Sequence, residues 1–375
     1  MAVYLCPACS RQYELKEDRF RCECGSFLDT APAPAAPQAQ QLDNRDLTIW
    51  RYREFFGLPE DLQPVTLGEG RTPVVRKSID GQEVDFKLDF MQPSGSFKDR
   101  GASVLVSAAR YAGAASIIED SSGNAGAAVS AYARAAGLDC TIFTPDYTPT
   151  GKLAQMRMVG SRVVKVKGTR QDTSQAAMDA AANGAFYASH LWNPLFIRGL
   201  ASTALEIWEQ MGAGMPHSVV LPVGSGGYYE GLHLGFSTLT AAGKIEAPPR
   251  LVGVQARHCS PLVQALEAGL EDAAPIESQP TVAEGISVQQ PPRARGVLQA
   301  VRENRGALIS VTEDEILASL TDLFALGLFV EPTSAAALAG WRKLSPDDQR
   351  GALLILTGSG LKQTAKLEKL FPAPL

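Results

Sequence analysis

The sequence predicts an α/β protein built on open, mostly parallel sheets and divided between two subdomains. Three observations predict it. Short apolar runs rich in β-branched residues and bounded by turn residues recur along the chain: ASIIE, CTIFT, RVVKV, SVVLPV, RLVGVQ, ALISV and ALLILT. Segments with helical spacing, such as GKLAQMRMVG and LASTALEIWEQMG, lie between them. Their repeated alternation from about residue 47 onward implies βαβ units, and so a parallel sheet covered by helices on both faces. The 375 residues suffice for two subdomains around one site, and no repeat at a solenoid period is present.

Taken in order, residues 1–30 read as a separate cysteine-rich module. Cys6 and Cys9 stand in CPAC, and Cys22 and Cys24 in CECG, a Cys-x-x-Cys pair and a Cys-x-Cys pair separated by twelve residues. Four thiolates at this spacing can close a tetrahedral zinc site, and a segment so short needs a metal to fold. The expectation is a zinc-ribbon-like module with one structural zinc ion. The one-residue gap in the second pair leaves open a ribbon that has lost its metal. Four of the six cysteines fall within the first 24 residues, and only Cys140 and Cys259 lie beyond, so the chain is not a disulfide scaffold.

Residues 31–46 contain APAPAAPQAQQ, whose Pro and Ala content predicts an extended linker. Residues 47–375 form the main region. Its smaller subdomain is expected at about 100–195, and the larger one at about 47–99 plus 196–375.

A net charge of -5 gives no basic footprint, which argues against a nucleic-acid or anionic-membrane partner. MAVYLCPACS lacks the basic segment and apolar core of a secretory signal, and no apolar run is long enough to span a bilayer. A cytoplasmic location is the expectation.

Four turns carry the chemistry. VDFKLDF alternates like a strand, GASVLVSAARYAG has the small apolar residues of a tightly packed helix, and PSGSFKDRG between them sets Lys98 at a strand-to-helix turn. Loops at the carboxyl ends of strands face the ligand crevice of an open α/β sheet. After ASIIED, Ser121, Ser122, Gly123 and Asn124 precede an Ala-rich helix. Backbone N–H groups there bind a carboxylate, and an Asn side chain donates to a phenolate-like oxygen. By itself this stretch is better explained by helix capping.

After SVVLPV, the backbone at Gly224, Ser225, Gly226 and Gly227 is open enough to wrap a phosphate. A dinucleotide site would need an acidic residue at the end of the next strand, which ends instead in Gln255, and no Gly-Lys-Ser or Gly-Lys-Thr of a P-loop follows. A small phosphate ester remains. After ALLIL, Thr357 and Ser359 offer hydroxyls, although a plain turn would look the same.

A lysine able to form a Schiff base, an Asn-bearing anion loop, a phosphate cup and a hydroxyl at a strand end together match pyridoxal phosphate. Its aldehyde, ring oxygen, phosphate and ring nitrogen need those four partners. Six stretches in order, PSGSFKDRG, SSGNAGA, PVGSGG, GVQA, VEPTSAAALAG and LTGSGLK, resemble threonine synthase and its relatives, the fold-type-II pyridoxal-phosphate enzymes. The resemblance spans roughly residues 65 to 365, and the cysteine-bearing N-terminus also resembles that of many threonine synthases.

The resemblance implies that Lys98 joins the cofactor, Asn124 contacts the ring hydroxyl, Gly224 to Gly227 hold the phosphate and Thr357 meets the pyridine nitrogen. It further implies that Ser121, Ser122, Gly123 and Ala125 receive the carboxylate of a small-molecule amino-acid substrate. Enzymes of this type are often dimers, so a homodimer is one expectation.

One stretch departs from the pattern. Where threonine synthases have Asn-Pro, an aromatic and a phosphate-holding arginine, then Glu-Gly, this chain reads NPLFIRG, with Phe196 at the arginine position and Arg198 at the acidic one. Arg198 is the expected replacement for the phosphate contact, although two places along a helix turn it by about 200°. TVAEGISV resembles the matching loop of amino-acid dehydratases. The expected activity is therefore elimination and replacement on O-phosphohomoserine, giving threonine. A serine, threonine or diaminopropionate lyase is the alternative, and a non-catalytic protein binding partners through its cysteine module is a third reading that Lys98 argues against.

Overall fold

A computed structural model describes residues 3–17, 19–31, 35–38, 42 and 44–372. Residues 32–34, 39–41 and 43 of the expected linker lie outside the described residues. The chain divides into two compact units, residues 1–71 with 98–205, and residues 72–97 with 206–375.

This division differs from the expected one in giving residues 47–71, 98–99 and 196–205, together with the cysteine module, to the unit that holds 100–195. The cysteine module and residues 47–71 group with 98–205, for identifiable reasons. Phe20 packs edge-on against Tyr187, with ring centroids 4.9 Å apart. Trp50 Nε1 donates to Ser103 Oγ at 2.9 Å, Val65 N to Ser107 Oγ at 2.8 Å, and Tyr132 Oη to Glu69 Oε2 at 2.8 Å. Each of these buried donors would be costly to leave without an acceptor.

The strands in chain order are β1 (Val3–Leu5), β2 (Gln12–Glu14), β3 (Asp29–Ala31), β4 (Val74–Ile79), β5 (Gln82–Lys87), β6 (Ser116–Glu119) and β7 (Asp139–Pro145). They continue with β8 (Arg162–Val166), β9 (Phe186–Tyr187), β10 (Ser218–Pro222), β11 (Arg250–Ala256), β12 (Ala307–Val311) and β13 (Ala352–Ile355).

The first unit holds two sheets. A small antiparallel one has the order β2-β1-β3, and a four-stranded one, parallel throughout, has the order β8-β7-β6-β9. Helices α1 (Lys98–Tyr111) and α2 (Asn124–Ala136) pack against each other. Most of their buried residues are Gly, Ala, Ser and Val, which lets the two backbones approach closely. A longer helix, α3 (Pro194–Met211), starts in this unit.

The second unit carries one six-stranded sheet of order β12-β11-β10-β13-β5-β4, parallel except for the edge strand β4. Val220, Val252, Val254 and Leu354 form its core together with Trp341. Helix α4 (Gly227–Ala241) follows β10, and α5 (Pro332–Trp341) is buried along its whole length. That explains the absence of polar residues from the α5 segment SAAALAGW apart from Ser334. Among the described residues no helix is long and apolar enough to cross a membrane.

Candidate active site

Lys98, which follows the Ser-Gly turn in the chain, is the first residue of α1 in the first unit. Its Nζ lies 5.6 Å from the centroid of the Phe196 ring on α3. Gly101, one turn into α1, makes room for that ring, because a Cβ there would stand 2.5 Å from its Cδ1 and Cε1.

Strand β6 ends at Glu119, and the loop through Ser121, Ser122 and Gly123 leads into α2. Gly123 N donates to Ser121 Oγ at 3.2 Å, and neither serine caps the helix: Gly123 holds the cap position, with no side-chain cap hydrogen bond. Side-chain capping by either serine therefore does not account for this stretch. Asn124 and Ala125 are its first two helical residues.

Arg198 is corrected by the structure. It is buried, and its guanidinium donates from Nη1 to the Phe56 carbonyl at 2.8 Å and from Nη2 to the Thr30 carbonyl at 3.0 Å. Burial lowers its pKa to about 10. Arg198 thus fastens α3 to the backbone of residues 30 and 56, and the substrate-phosphate role expected for it falls away.

In the second unit the Gly224–Gly227 turn follows β10. Gly226 has φ +91°, a left-handed conformation that favours glycine, and a Cβ on it would collide with Val297 Cγ2. A Cβ on Gly224 would stand 2.9 Å from the Ile286 Cα. Ser225 lies between them, partly exposed.

Tyr228, directly after the turn, stacks on Phe97 with centroids 4.3 Å apart and donates its hydroxyl to Asp89. Phe97 N in turn donates to the Thr357 carbonyl at 3.0 Å. Thr357 Oγ1 and Ser334 Oγ share a hydrogen bond of 3.2 Å, and Ser334 Oγ also accepts from Thr357 N and Gly358 N. The second unit therefore ties together the glycine turn, the Thr357 hydroxyl and the segment that ends one residue before Lys98.

The four N-terminal cysteines also converge, with their sulfur atoms all within 4.8 Å of one another. Cys6 Sγ lies 3.5 Å from Cys24 Sγ, and Cys9 Sγ 3.5 Å from Cys22 Sγ. The Tyr13 hydroxyl, 3.2 Å from Cys22 Sγ, pulls that thiol down to about 6.

Sequence reasoning missed Tyr228, Ser334 and the pairing of Glu119 with His190, whose Nδ1 lies 2.6 Å from Glu119 Oε1. The only available signal was position, since Tyr228 ends the GSGGY run, Ser334 lies in VEPTS, and Glu119 closes the run ASIIE.

A family profile described as "Pyridoxal-phosphate dependent enzyme" matches residues 65–358. The threonine synthase of Methanocaldococcus jannaschii is 32% identical over 373 residues, covering 95% of this chain and 92% of that protein. That of Synechocystis is 34% identical over 360 residues, covering 90% and 91%. Among solved structures, maize serine racemase superposes with a TM-score of 0.70 at 23% identity, covering 80% of this chain and 92% of that one, a likeness of fold. Profile, relatives and fold agree: this chain belongs to the pyridoxal-phosphate dependent enzymes of fold type II and is a lyase of the threonine-synthase-like kind.

Proposed function

We propose that this enzyme converts O-phosphohomoserine and water to threonine and phosphate, with Lys98 as the lysine that joins the cofactor. The observation that carries the reading is the setting of Lys98: it heads a helix after a Ser-Gly turn, in a chain whose relatives named threonine synthase align along nearly its whole length.

The residues present fit pyridoxal phosphate. The left-handed Gly226 and the close approach of Gly224 to Ile286 describe a turn that side chains would fill, which suits Gly224, Ser225, Gly226 and Gly227 to a phosphate. When bound, the cofactor supplies an electron sink for charge developing at the substrate α carbon. Thr357 would meet its ring nitrogen and Asn124 its ring oxygen. A hydroxyl already shared with Ser334 offers no negative charge to hold a proton on that nitrogen, and this favours elimination and replacement over transamination. The Lys98 amine then takes and returns protons at the α and β carbons, while Ser121, Ser122, Gly123 and Ala125 receive the substrate carboxylate at the head of α2.

One observation favours a second reading. Phe196, an apolar ring packed near Lys98, stands where the family resemblance implies an arginine for the substrate phosphate. Assaying phosphate release from phosphohomoserine in parallel with 2-oxo acid formation from serine, threonine and diaminopropionate separates the two. Phosphate release is expected, and oxo acid alone would replace the synthase with a dehydratase or ammonia-lyase.

We also propose that Cys6, Cys9, Cys22 and Cys24 hold one structural zinc ion. A tetrahedron with Zn–S bonds of about 2.3 Å has edges of roughly 3.8 Å, and the sulfur separations bracket that length. Metal analysis of protein purified without chelator is expected to give one equivalent of zinc, and chelation should loosen this module while leaving the cofactor absorbance nearly unchanged. A metal-free protein of full stability would show the site to be vestigial.

A further inference from the structure

Strands β6 and β9 are parallel neighbours, with Ile117 opposite Phe186 and Ile118 opposite Tyr187. Glu119 closes β6, and His190 follows three residues after β9. Both side chains therefore leave from the carboxyl ends of adjacent strands, the edge at which an open parallel sheet meets its ligand. There His190 Nδ1 lies 2.6 Å from Glu119 Oε1. The glutamate is fully buried, whereas 11% of the His190 side chain is exposed. The Phe196 ring is 6.0 Å from the His190 ring, and Lys98 Nζ is 5.6 Å from the Phe196 centroid.

A buried histidine paired with a glutamate is usually explained by packing alone. Here that explanation leaves polar atoms unaccounted for. Glu119 Oε2 and Asp120 Oδ1 are both buried without a hydrogen-bond partner among the described residues. Buried polar atoms of this kind call for a partner such as an ordered water, an ion or a ligand. The other groups facing the pair are Lys98, Asp120, Tyr187 and Arg170, whose Nη2 lies 2.9 Å from Asp120 Oδ2.

Burial first, and then the Lys98 and Arg170 cations, push the His190 imidazole well below its usual value. Burial and then Asp120 push Glu119 well above its own. Both directions favour a neutral pair, with the Glu119 carboxyl proton directed at Nδ1 and the single imidazole proton on Nε2.

We propose that His190, oriented by Glu119, is a second acid–base residue of this site, acting at the side-chain end of the substrate while Lys98 acts at the α carbon. The inference rests on the assignment of Lys98 made above. As the carbon–oxygen bond to the leaving group breaks, its electron pair goes to oxygen, Nε2–H protonates that oxygen, and the Glu119 proton moves to Nδ1. As water bonds to the β carbon, it gives a proton to Nε2, and the Nδ1 proton returns to Glu119. The pair ends as it began, with no other reactant consumed.

The test compares wild type, His190→Asn and Glu119→Gln as holoenzymes. Visible absorbance reports cofactor binding, and incorporation of solvent deuterium at the substrate α carbon reports the work of Lys98. Turnover is read on whichever product, phosphate or 2-oxo acid, the wild type forms. In cofactor-free protein, nitrogen NMR reads the His190 tautomer.

Both variants are expected to bind cofactor and exchange the α proton within about threefold of wild type. Turnover should fall about 100-fold in His190→Asn and about tenfold in Glu119→Gln. The wild-type imidazole is expected to carry its proton on Nε2 and to stay neutral through the range in which an ordinary histidine takes up a second proton. Unchanged turnover, a parallel loss of exchange and turnover, or an imidazole that titrates normally would overturn the proposal. If the wild type makes oxo acid instead of phosphate, the substrate reading fails, and the same variant ratios still decide the role of His190.

Discussion

Lys98→Ala is expected to abolish covalent attachment of the cofactor and to lower turnover by about 10⁴-fold or more, since it removes both the attachment point and the acid–base group at the α carbon. The fold should survive. Lys98 is only partly buried at the head of α1, and its amine approaches the face of the Phe196 ring without filling the core. Borohydride reduction followed by peptide mapping checks the assignment. Lys87 shows why another lysine is a poor substitute: its Nζ is buried, bound to Glu206 Oε1 at 2.5 Å, Gln210 Oε1 at 2.7 Å and the Thr72 carbonyl at 2.7 Å. Labelling of Lys87, or of any lysine other than Lys98, would refute the reading.

Gly226→Ala is expected to have the next largest effect. At φ +91° an alanine costs about 1–2 kcal/mol in backbone strain. Its Cβ would also press on Val297, a β-branched side chain on a neighbouring helix that cannot swing away, which adds about 1–3 kcal/mol of overpacking. Together these destabilise the protein by roughly 2–5 kcal/mol and deform the turn proposed to hold the cofactor phosphate.

Urea denaturation and cofactor titration measure the two consequences separately. Gly243→Ala is the control, because Gly243 also has positive φ, +64°, but nothing lies within 4 Å of its added Cβ. A Gly226→Ala protein that binds cofactor as tightly as wild type would show that this turn is not the phosphate cup.

How much of this was legible depended on whether the relevant neighbours were near in sequence. The seven apolar runs ASIIE to ALLILT all became strands, and Lys98 took its place at the head of α1, after β5 and its turn, because burial pattern and turn residues act over a few positions. The half-buried edge strand β4, interrupted by Arg76 and Lys77, and the two-residue β9 gave too little signal to be read as strands. The cysteine cluster was legible as well, since its spacing is itself the motif.

Arg198 marks where local reading fails. The Asn-Pro pattern put an arginine near the expected phosphate position, yet the guanidinium found carbonyls at residues 30 and 56, far back along the chain. Buried N–H groups must be satisfied by whatever acceptor the packing brings up, and no motif records which one. His190 is the opposite case. Nothing marks it within ASHLWN, and it became a candidate catalytic group only because β9 pairs with β6 and so sets Glu119 against its ring.

The sequence by itself determined the fold class, the helix that starts at Lys98, the glycine turn after β10 and the spacing of four cysteines, all properties of hydrophobic period and backbone freedom within a short stretch. Only the tertiary structure decided that residues 1–71 join 98–205, that Arg198 is structural and that Glu119 holds His190. Those outcomes follow from strand order and from the need to pair every buried polar group, and both are settled between residues that the linear chain keeps far apart.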